Sequence, residues 1–187
     1  MSHSAYSVSE FFDHHLHVPS RTLYLGDVGE AEEIDQRLAA NVIKALHILE
    51  RINKKPIEIL INTVGGDTHA GLAIFDAIHD SACWVVGRVV GSAMSMGAVI
   101  LQACDERVMH PNSIMMLHDG STSIYDSARN VEAWSDFYKA QRHLFYAILA
   151  KRTSRTAKYW ERRCLTDYLL SARKALSERL IDRVVGD

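Results

Sequence analysis

Serine, histidine and aspartate side chains can together cut acyl bonds, and this sequence offers each of them close to small-residue turns. Residues 91–98 read Gly-Ser-Ala-Met-Ser-Met-Gly-Ala between two apolar runs, 83–90 and 99–103. Small residues where a strand gives way to a helix let Ser95 sit on a sharp turn with its hydroxyl exposed. The plainer alternative is a packed helix start, in which Gly91 and Gly97 only permit close approach to a sheet. A serine nucleophile needs a base, a group to orient that base, and amide donors where the oxyanion develops. His118 ends an apolar run just before Asp119-Gly120 and is the first candidate base; His69, near the Gly65-Gly66 loop, and His110 are the others. Asp119, Asp126 and Asp167 could each orient it, and order along the chain does not choose among them. A Gly-Gly turn after a buried strand presents free amides, as does the residue that follows a nucleophile at a helix start. These nominate Gly66 and Met96 as oxyanion donors. No GxxxxGKS or GxGxxG spacing occurs, which excludes the usual phosphate loops.

The elements that must position these residues alternate between strand and helix. A short strand is expected at 22–25, closed by Gly26, then an amphipathic helix whose apolar positions Ile34, Leu38, Val42, Ile43, Leu46 and Leu49 recur at helical spacing as far as the Lys54-Lys55-Pro56 break. Residues 57–61 form a near-continuous apolar strand of the kind a parallel sheet buries on both faces. The loop 62–67 leads into a helix at 69–79. A strand at 83–90, the Ser95 turn, a helix to about Cys104 and a strand at 107–110 repeat the order. This pattern argues for an α/β fold with right-handed crossovers, with both glycine loops beyond the carboxyl ends of the strands. After the Pro111-Asn112 turn come a strand at 113–117, a polar stretch at 121–127 and a helix of about 25 residues from Ala128 to Arg152. So long a helix exceeds what a small domain needs internally, and it is expected to project onto a neighbouring subunit. A short helix at 157–163, a turn around Asp167, a helix capped by Ser171 and a last strand at 180–185 complete the chain.

At 187 residues and a net charge of −2 the chain reads as one soluble domain without an electrostatic footprint for nucleic acid or anionic membrane. Residues 1–15 lack the basic and apolar regions of a signal peptide, and no stretch is apolar enough to span a bilayer. A cytoplasmic location is expected. Cys83, Cys104 and Cys164 are an odd count without a CxxC pair and read as core thiols. His14, His15 and His17 lack the partners of a metal site and read as part of a flexible, solvated N-terminal segment, residues 1–20, so no metal is expected.

Four ordered blocks carry a family resemblance. Ile-Asn-Thr-Val-Gly-Gly (61–66), Ala-Met-Ser-Met-Gly-Ala (93–98), Pro-Asn-Ser-Ile-Met-Met-Leu-His (111–118) and Asp-Tyr-Leu-Leu-Ser-Ala (167–172) resemble the signature blocks of the ClpP serine peptidase family, over about residues 21–185. The resemblance puts the nucleophile on Ser95, the base on His118, the orienting aspartate on Asp167 and the oxyanion amides on Gly66 and Met96. It implies a crotonase-like α/β fold of stacked βαβ units in a single domain, 21–187, with a protruding handle helix in the region 119–152. It further implies homo-oligomeric heptameric rings that pair face to face into a tetradecamer around a chamber. The substrate would be an unfolded polypeptide lying as an extra strand between the segments after Gly66 and Gly120. An AAA+ unfoldase would deliver it, and that partner would use the ATP, leaving no cofactor in this chain. The implied function is therefore a serine endopeptidase, with apolar specificity for the residue before the cut and Met94, Met115 or Met116 as candidate contacts.

Departures mark a divergent member. Val64 replaces a proline, which should loosen the glycine loop while keeping its amides. Asp119 and Gly120-Ser121-Thr122 stand where the family has Gln-Pro and a glycine pair. Thr166 and Asn130 replace a charge pair that couples the rings, and Glu58 and Leu60 occupy positions often aromatic at the unfoldase dock. Two other readings keep the fold: a weakly active or inactive ring subunit that builds or regulates an assembly, and an acyl-CoA enzyme using the Gly66 loop as a thioester oxyanion hole.

Overall fold

The computed structural model describes residues 15–26 and 33–187. Its strands and helices are β1 (Leu16–His17), β2 (Thr22–Gly26), α1 (Gln36–Ile52), β3 (Ile57–Thr63), α2 (Thr68–His79), β4 (Val85–Met94), α3 (Met96–Leu101), β5 (Glu106–Met109), β6 (Ile114–Leu117), α4 (Ala128–Arg152), α5 (Ala157–Arg163), β7 (Tyr168–Ser171), α6 (Ala172–Ser177) and β8 (Arg183–Val184). Strands β2, β3, β4, β5 and β8 run parallel in that order, and β1 pairs antiparallel with β2 at the edge. The mixed sheet with its helical crossovers is the α/β architecture expected from the strand and helix alternation. Leu16 pairs with Leu23 and His17 with Thr22, so these two residues, read as part of the N-terminal segment, already belong to the sheet. Residues 1–14, with His14, lie outside the described residues.

Helix α1 starts two residues later than the apolar spacing suggested, because Ile34, counted as its first apolar position, bridges to Gly66 and Asp35 caps the helix. The Asp35 carboxylate accepts the Leu38 amide at 2.7 Å, and the buried positions Leu38, Val42, Leu46 and Leu49 form one stripe. Its far end is held by Arg21, which is 7% exposed. The guanidinium donates to the carbonyls of Leu49 (2.9 Å), Asn53 (3.3 Å), Lys55 (2.9 Å) and Pro56 (3.1 Å). One buried cation thus satisfies carbonyls left over at the helix end and carries the chain into β3.

Strand β3 is buried on one face only, which corrects the expectation of burial on both. Ile57, Ile59, Ile61 and Thr63 point into the core, while Glu58 on the other face is ion-paired to Arg88 at 2.7 Å. Strand β4 is longer than the expected 83–90. It pairs with β5 through residues 86–89, then switches partner and pairs with β6 through residues 92–94. Gly91 marks the switch at φ +105°, and a Cβ there would sit 2.4 Å from Asn62 Oδ1. Ser113 Oγ fills the fork, accepting from the Gly91 amide at 3.0 Å and donating to the Val89 carbonyl at 3.2 Å. Gly-Ser-Ala-Met has no strand signature, and its extended form comes from the ladder with β6.

The same missing ladder explains β7, which the sequence suggested only as a turn before a helix. It pairs antiparallel with β6, Leu117 opposite Tyr168 and Ile114 opposite Ser171. Ser171 does cap α6, accepting the Lys174 amide at 3.4 Å. The last strand shortens from 180–185 to two residues, because Leu180 and Ile181 turn inward as core rather than along the ladder. Helix α4 takes the expected 25-residue span. The three cysteines are buried and free, and burial pushes the Cys104 thiol up to about 12.

The segment leading into β7 is anchored from below by Glu178, whose side chain is 1% exposed. It pairs with Lys174 (2.8 Å) and Arg155 (3.1 Å) and accepts from Tyr159 (3.0 Å) and Tyr168 (3.3 Å). Burial alone would raise its pKa, but the donors Lys174, Tyr159 and Arg155 overcome that and bring it from the ordinary 4.5 down to about 2. A carboxyl depressed in the folded state adds stability above its unfolded pKa and loses it as pH falls through the folded one. Glu178→Gln should therefore cost about 1.5–3 kcal/mol at neutral pH. The difference in thermal midpoint between wild type and variant should hold above pH 4.5 and shrink towards pH 2, measured by thermal unfolding across pH.

Candidate active site

Ser95 stands at the hinge between β4 and α3 with φ 51° and ψ −120°. A non-glycine residue rarely adopts this conformation, and it persists only where the surroundings hold it. Here the Ser95 amide donates to the Met116 carbonyl of β6 at 2.9 Å, and the Ser95 carbonyl accepts the Ala98 and Val99 amides at 3.1 and 3.3 Å. The strand end and the first turn of α3 therefore pin the residue from both sides. The hydroxyl faces the candidate base: Ser95 Oγ lies 2.9 Å from His118 Nε2. On the other side of the ring, His118 Nδ1 lies 3.4 Å from Asp167 Oδ1, at the outer edge of hydrogen-bond range. His118 immediately follows β6 and Asp167 immediately precedes β7, so the β6–β7 ladder brings them together. Asp167 remains 67% exposed.

The glycine loop closes the opposite wall. Gly65 has φ +108°, and a Cβ on it would lie 2.6 Å from the Ser95 Cβ. The nucleophile candidate can occupy its place only because Gly65 has no side chain, a role the sequence left unassigned. Its signal was present in the doublet, but only the packing separates Gly65 from Gly66. Gly66 forms a parallel bridge with Ile34: the Ile34 amide donates to the Gly65 carbonyl at 2.7 Å, and the Asp67 amide to the Ile34 carbonyl at 2.8 Å. In such a bridge Gly66 itself turns its amide the other way, leaving it available to a ligand. The Gly65 amide is tied to Thr63 Oγ1 at 3.1 Å, and Asp67 caps α2 through the Ala70 amide at 2.7 Å. The loop is thus held on both sides although Val64 replaces a proline. The Met96 amide opens α3 immediately after Ser95.

Most of the competing side chains, and the neighbouring Ser92, are engaged elsewhere. His69 stacks on Phe137 of α4, with ring centroids 5.9 Å apart. Around His110 the backbone is occupied, its amide donating to Val89 and its carbonyl accepting Ser113. Ser92 Oγ donates to Asn62 Oδ1 and the Thr63 carbonyl, both at 3.3 Å. Asp126 accepts from Ser127 and Asn130 at the start of α4. Asp119 accepts a hydrogen bond from the Tyr146 phenol.

Beside Ser95 opens a small cavity walled by Met96, Val99, Leu117, Phe145 and Leu149. This corrects the expected methionine contacts. Neither Met94, Met115 nor Met116 lines it; Met115 is wholly buried in the sheet. The lining methionine is the one that starts α3, and two walls come from α4, some fifty residues away in sequence. A second cavity continues between Gly66-Thr68 and Gly120-Thr122, with Gln141 and Arg142 on its α4 side. In the wall of the cavity beside Ser95, Cys164 is no rival nucleophile, since burial first and Asp119 second push its thiol up to about 12. Among the described residues no group of three or more His, Cys, Asp or Glu is placed to hold a metal ion, and no helix is long and apolar enough to cross a membrane.

Comparison with known proteins is consistent with this geometry. The family model described as Clp protease matches residues 14–187. An ATP-dependent Clp protease proteolytic subunit 2 of Pseudomonas aeruginosa is 30% identical over 154 residues, 81% of this chain and 77% of the relative. The proteolytic subunit of Deinococcus radiodurans is 32% identical over 155 residues, 81% and 76% of the two chains. Proteolytic subunit 3 of a Synechococcus species is 34% identical over 171 residues, 89% and 82%. With nearly its whole length matched by the family model, the chain belongs to the Clp protease family.

Proposed function

We propose that this chain is a serine endopeptidase, the proteolytic subunit of a Clp-type compartmentalised protease that hydrolyses unfolded polypeptides. The observation that carries the reading is the 2.9 Å contact of Ser95 Oγ with His118 Nε2, on a backbone strained to present the hydroxyl. In this reading Ser95 attacks the peptide carbonyl while His118 takes its proton and then delivers it to the leaving amine. Asp167 holds the imidazole in the right tautomer and stabilises the imidazolium. The Gly66 and Met96 amides stabilise the oxyanion, and a water molecule, activated by His118, hydrolyses the acyl-enzyme. None of these steps needs a cofactor.

The apolar cavity beside Ser95 suits an apolar side chain before the scissile bond, and the longer cleft between Gly66 and Gly120 suits an extended peptide. Assembly into heptameric rings, stacked in pairs, agrees with a long helix that leaves Trp134, Phe137 and Leu144 exposed. An AAA+ unfoldase would supply substrate and consume ATP, in the cytoplasm. Loss of the ring-coupling charge pair leaves Asn130 bonded within its own chain, to Asp126 at 2.9 Å, so ring pairing would rest on apolar and backbone contacts.

A fluorophosphonate probe should label wild type at Ser95 and leave Ser95→Ala unlabelled; labelling that survives the substitution removes Ser95 from the role. With a fluorogenic peptide, His118→Ala should lower kcat/KM by about 10⁴-fold or more, and Asp167→Asn by less, as expected of an orienting group. Gly65→Ala should lower kcat by about 10²-fold while the protein stays folded, because the new methyl group must displace Ser95 from its place. Wild-type turnover in Gly65→Ala, measured beside an unfolding curve, would contradict the packing derived for that wall.

A further inference from the structure

Asp119 and Tyr146 are joined by a hydrogen bond that the proposed reaction does not use. Asp119 follows the candidate base directly, and its carboxylate accepts from the Tyr146 phenol of α4. Its backbone amide donates to the Cys164 carbonyl at 2.9 Å, three residues before Asp167. Tyr146 is 4% exposed and lies in the wall of the cavity beside Ser95. Three pieces of chain therefore meet at one residue: the end of β6 with His118, the segment with Asp167, and the long helix.

The geometry points to Tyr146 as a positioning residue, which clamps Asp119 so that His118 stays in reach of both Ser95 and Asp167. The inference rests on the serine peptidase reading of the same site. The physical need for a clamp is visible in the distances. Asp167 reaches the imidazole only at 3.4 Å and is largely solvated, so it constrains the ring weakly. The strand ends at Leu117, so beyond it no ladder bond with β7 fixes the chain. The Asp119 amide and carboxylate provide the next fixed points, one on each side of the backbone. Burial, and after it the hydrogen bond to Asp119, hold the Tyr146 proton in place, so the phenol remains a donor across the working pH range. Tyr146 acts through the backbone of residues 118 and 119 and touches no reacting atom.

Tyr146→Phe keeps the ring and removes only the donor. In the full-length protein it should lower kcat on a fluorogenic peptide about 10- to 100-fold with KM changed less than threefold, and slow fluorophosphonate labelling of Ser95 by a similar factor. Asp119→Asn, which keeps a carbonyl acceptor for the phenol, should retain activity within about threefold. Asp119→Ala should fall as far as Tyr146→Phe, and the double variant Tyr146→Phe/Asp119→Ala no further, since both remove one contact. A purely structural role would lower the unfolding midpoint without this split between kcat and KM. Wild-type kcat and labelling rate in a folded Tyr146→Phe overturn the clamp alone. Additive losses in the double variant do so as well. Absence of labelling in wild type overturns the peptidase reading and the clamp with it.

Discussion

The structure depends on one unfavourable backbone conformation. Ser95 is held at φ 51° between a strand that must end and a helix that must begin, and everything around it serves to make that state the lowest in energy. Strand β6 supplies a carbonyl for its amide, α3 supplies amides for its carbonyl, and Gly65 gives up a side chain so that the Ser95 Cβ has room. Strain of this kind costs roughly 1–3 kcal/mol, a sum that a well-packed domain can offset. What it gains is a hydroxyl presented beyond the sheet, with a histidine already in contact.

The fold provides that support by forking one strand. β4 begins among parallel neighbours in the core and, past Gly91, leaves β5 for β6. The fork carries Ser95 out of the main sheet to a small ladder of β6 and β7, and the same ladder sets His118 and Asp167 side by side. A single topological event thus gathers three residues from distant parts of the chain. It also leaves the ends of β6 and β7 thinly supported, which explains the dense polar anchoring there. Glu178 binds the segment at Tyr168 from one side, and Asp119 with Tyr146 bind it to α4 from the other.

Two buried cations elsewhere are densely paired in the same way. Arg21 satisfies four carbonyls where α1 passes into β3. Arg107 meets the Asp182 carboxylate at 2.6 and 3.0 Å and donates to Gln102 Oε1 at 2.7 Å, fixing β5 to the turn before β8. Each secures the chain where a parallel ladder begins, β2 beside β3 and β5 beside β8, and each is worth keeping only because its donors are used.

Much of this was legible in the amino-acid order. The spans of α1, α2, α4 and α5 follow from apolar spacing, caps and breaks, which are local and are read at the period of the helix. The ordered blocks carrying Ser95, His118 and Asp167 identified the family and nominated the site, because those residue types in that sequence are rare by chance. Strand β7, the continuation of β4 through Ser92 and Ala93, and the pairing of Leu16 were not legible: a short strand acquires its form from its partner, and the partner is distant in sequence. The same holds for the cavity, whose walls Phe145 and Leu149 come from a helix that periodicity alone leaves without a neighbour. The sequence by itself determined which side chains could react and where helices start and stop. The tertiary structure alone decided which glycine packs against Ser95, how closely Asp167 approaches the imidazole and which aspartate binds Tyr146, because those contacts join segments that only the folded sheet brings within a few ångströms.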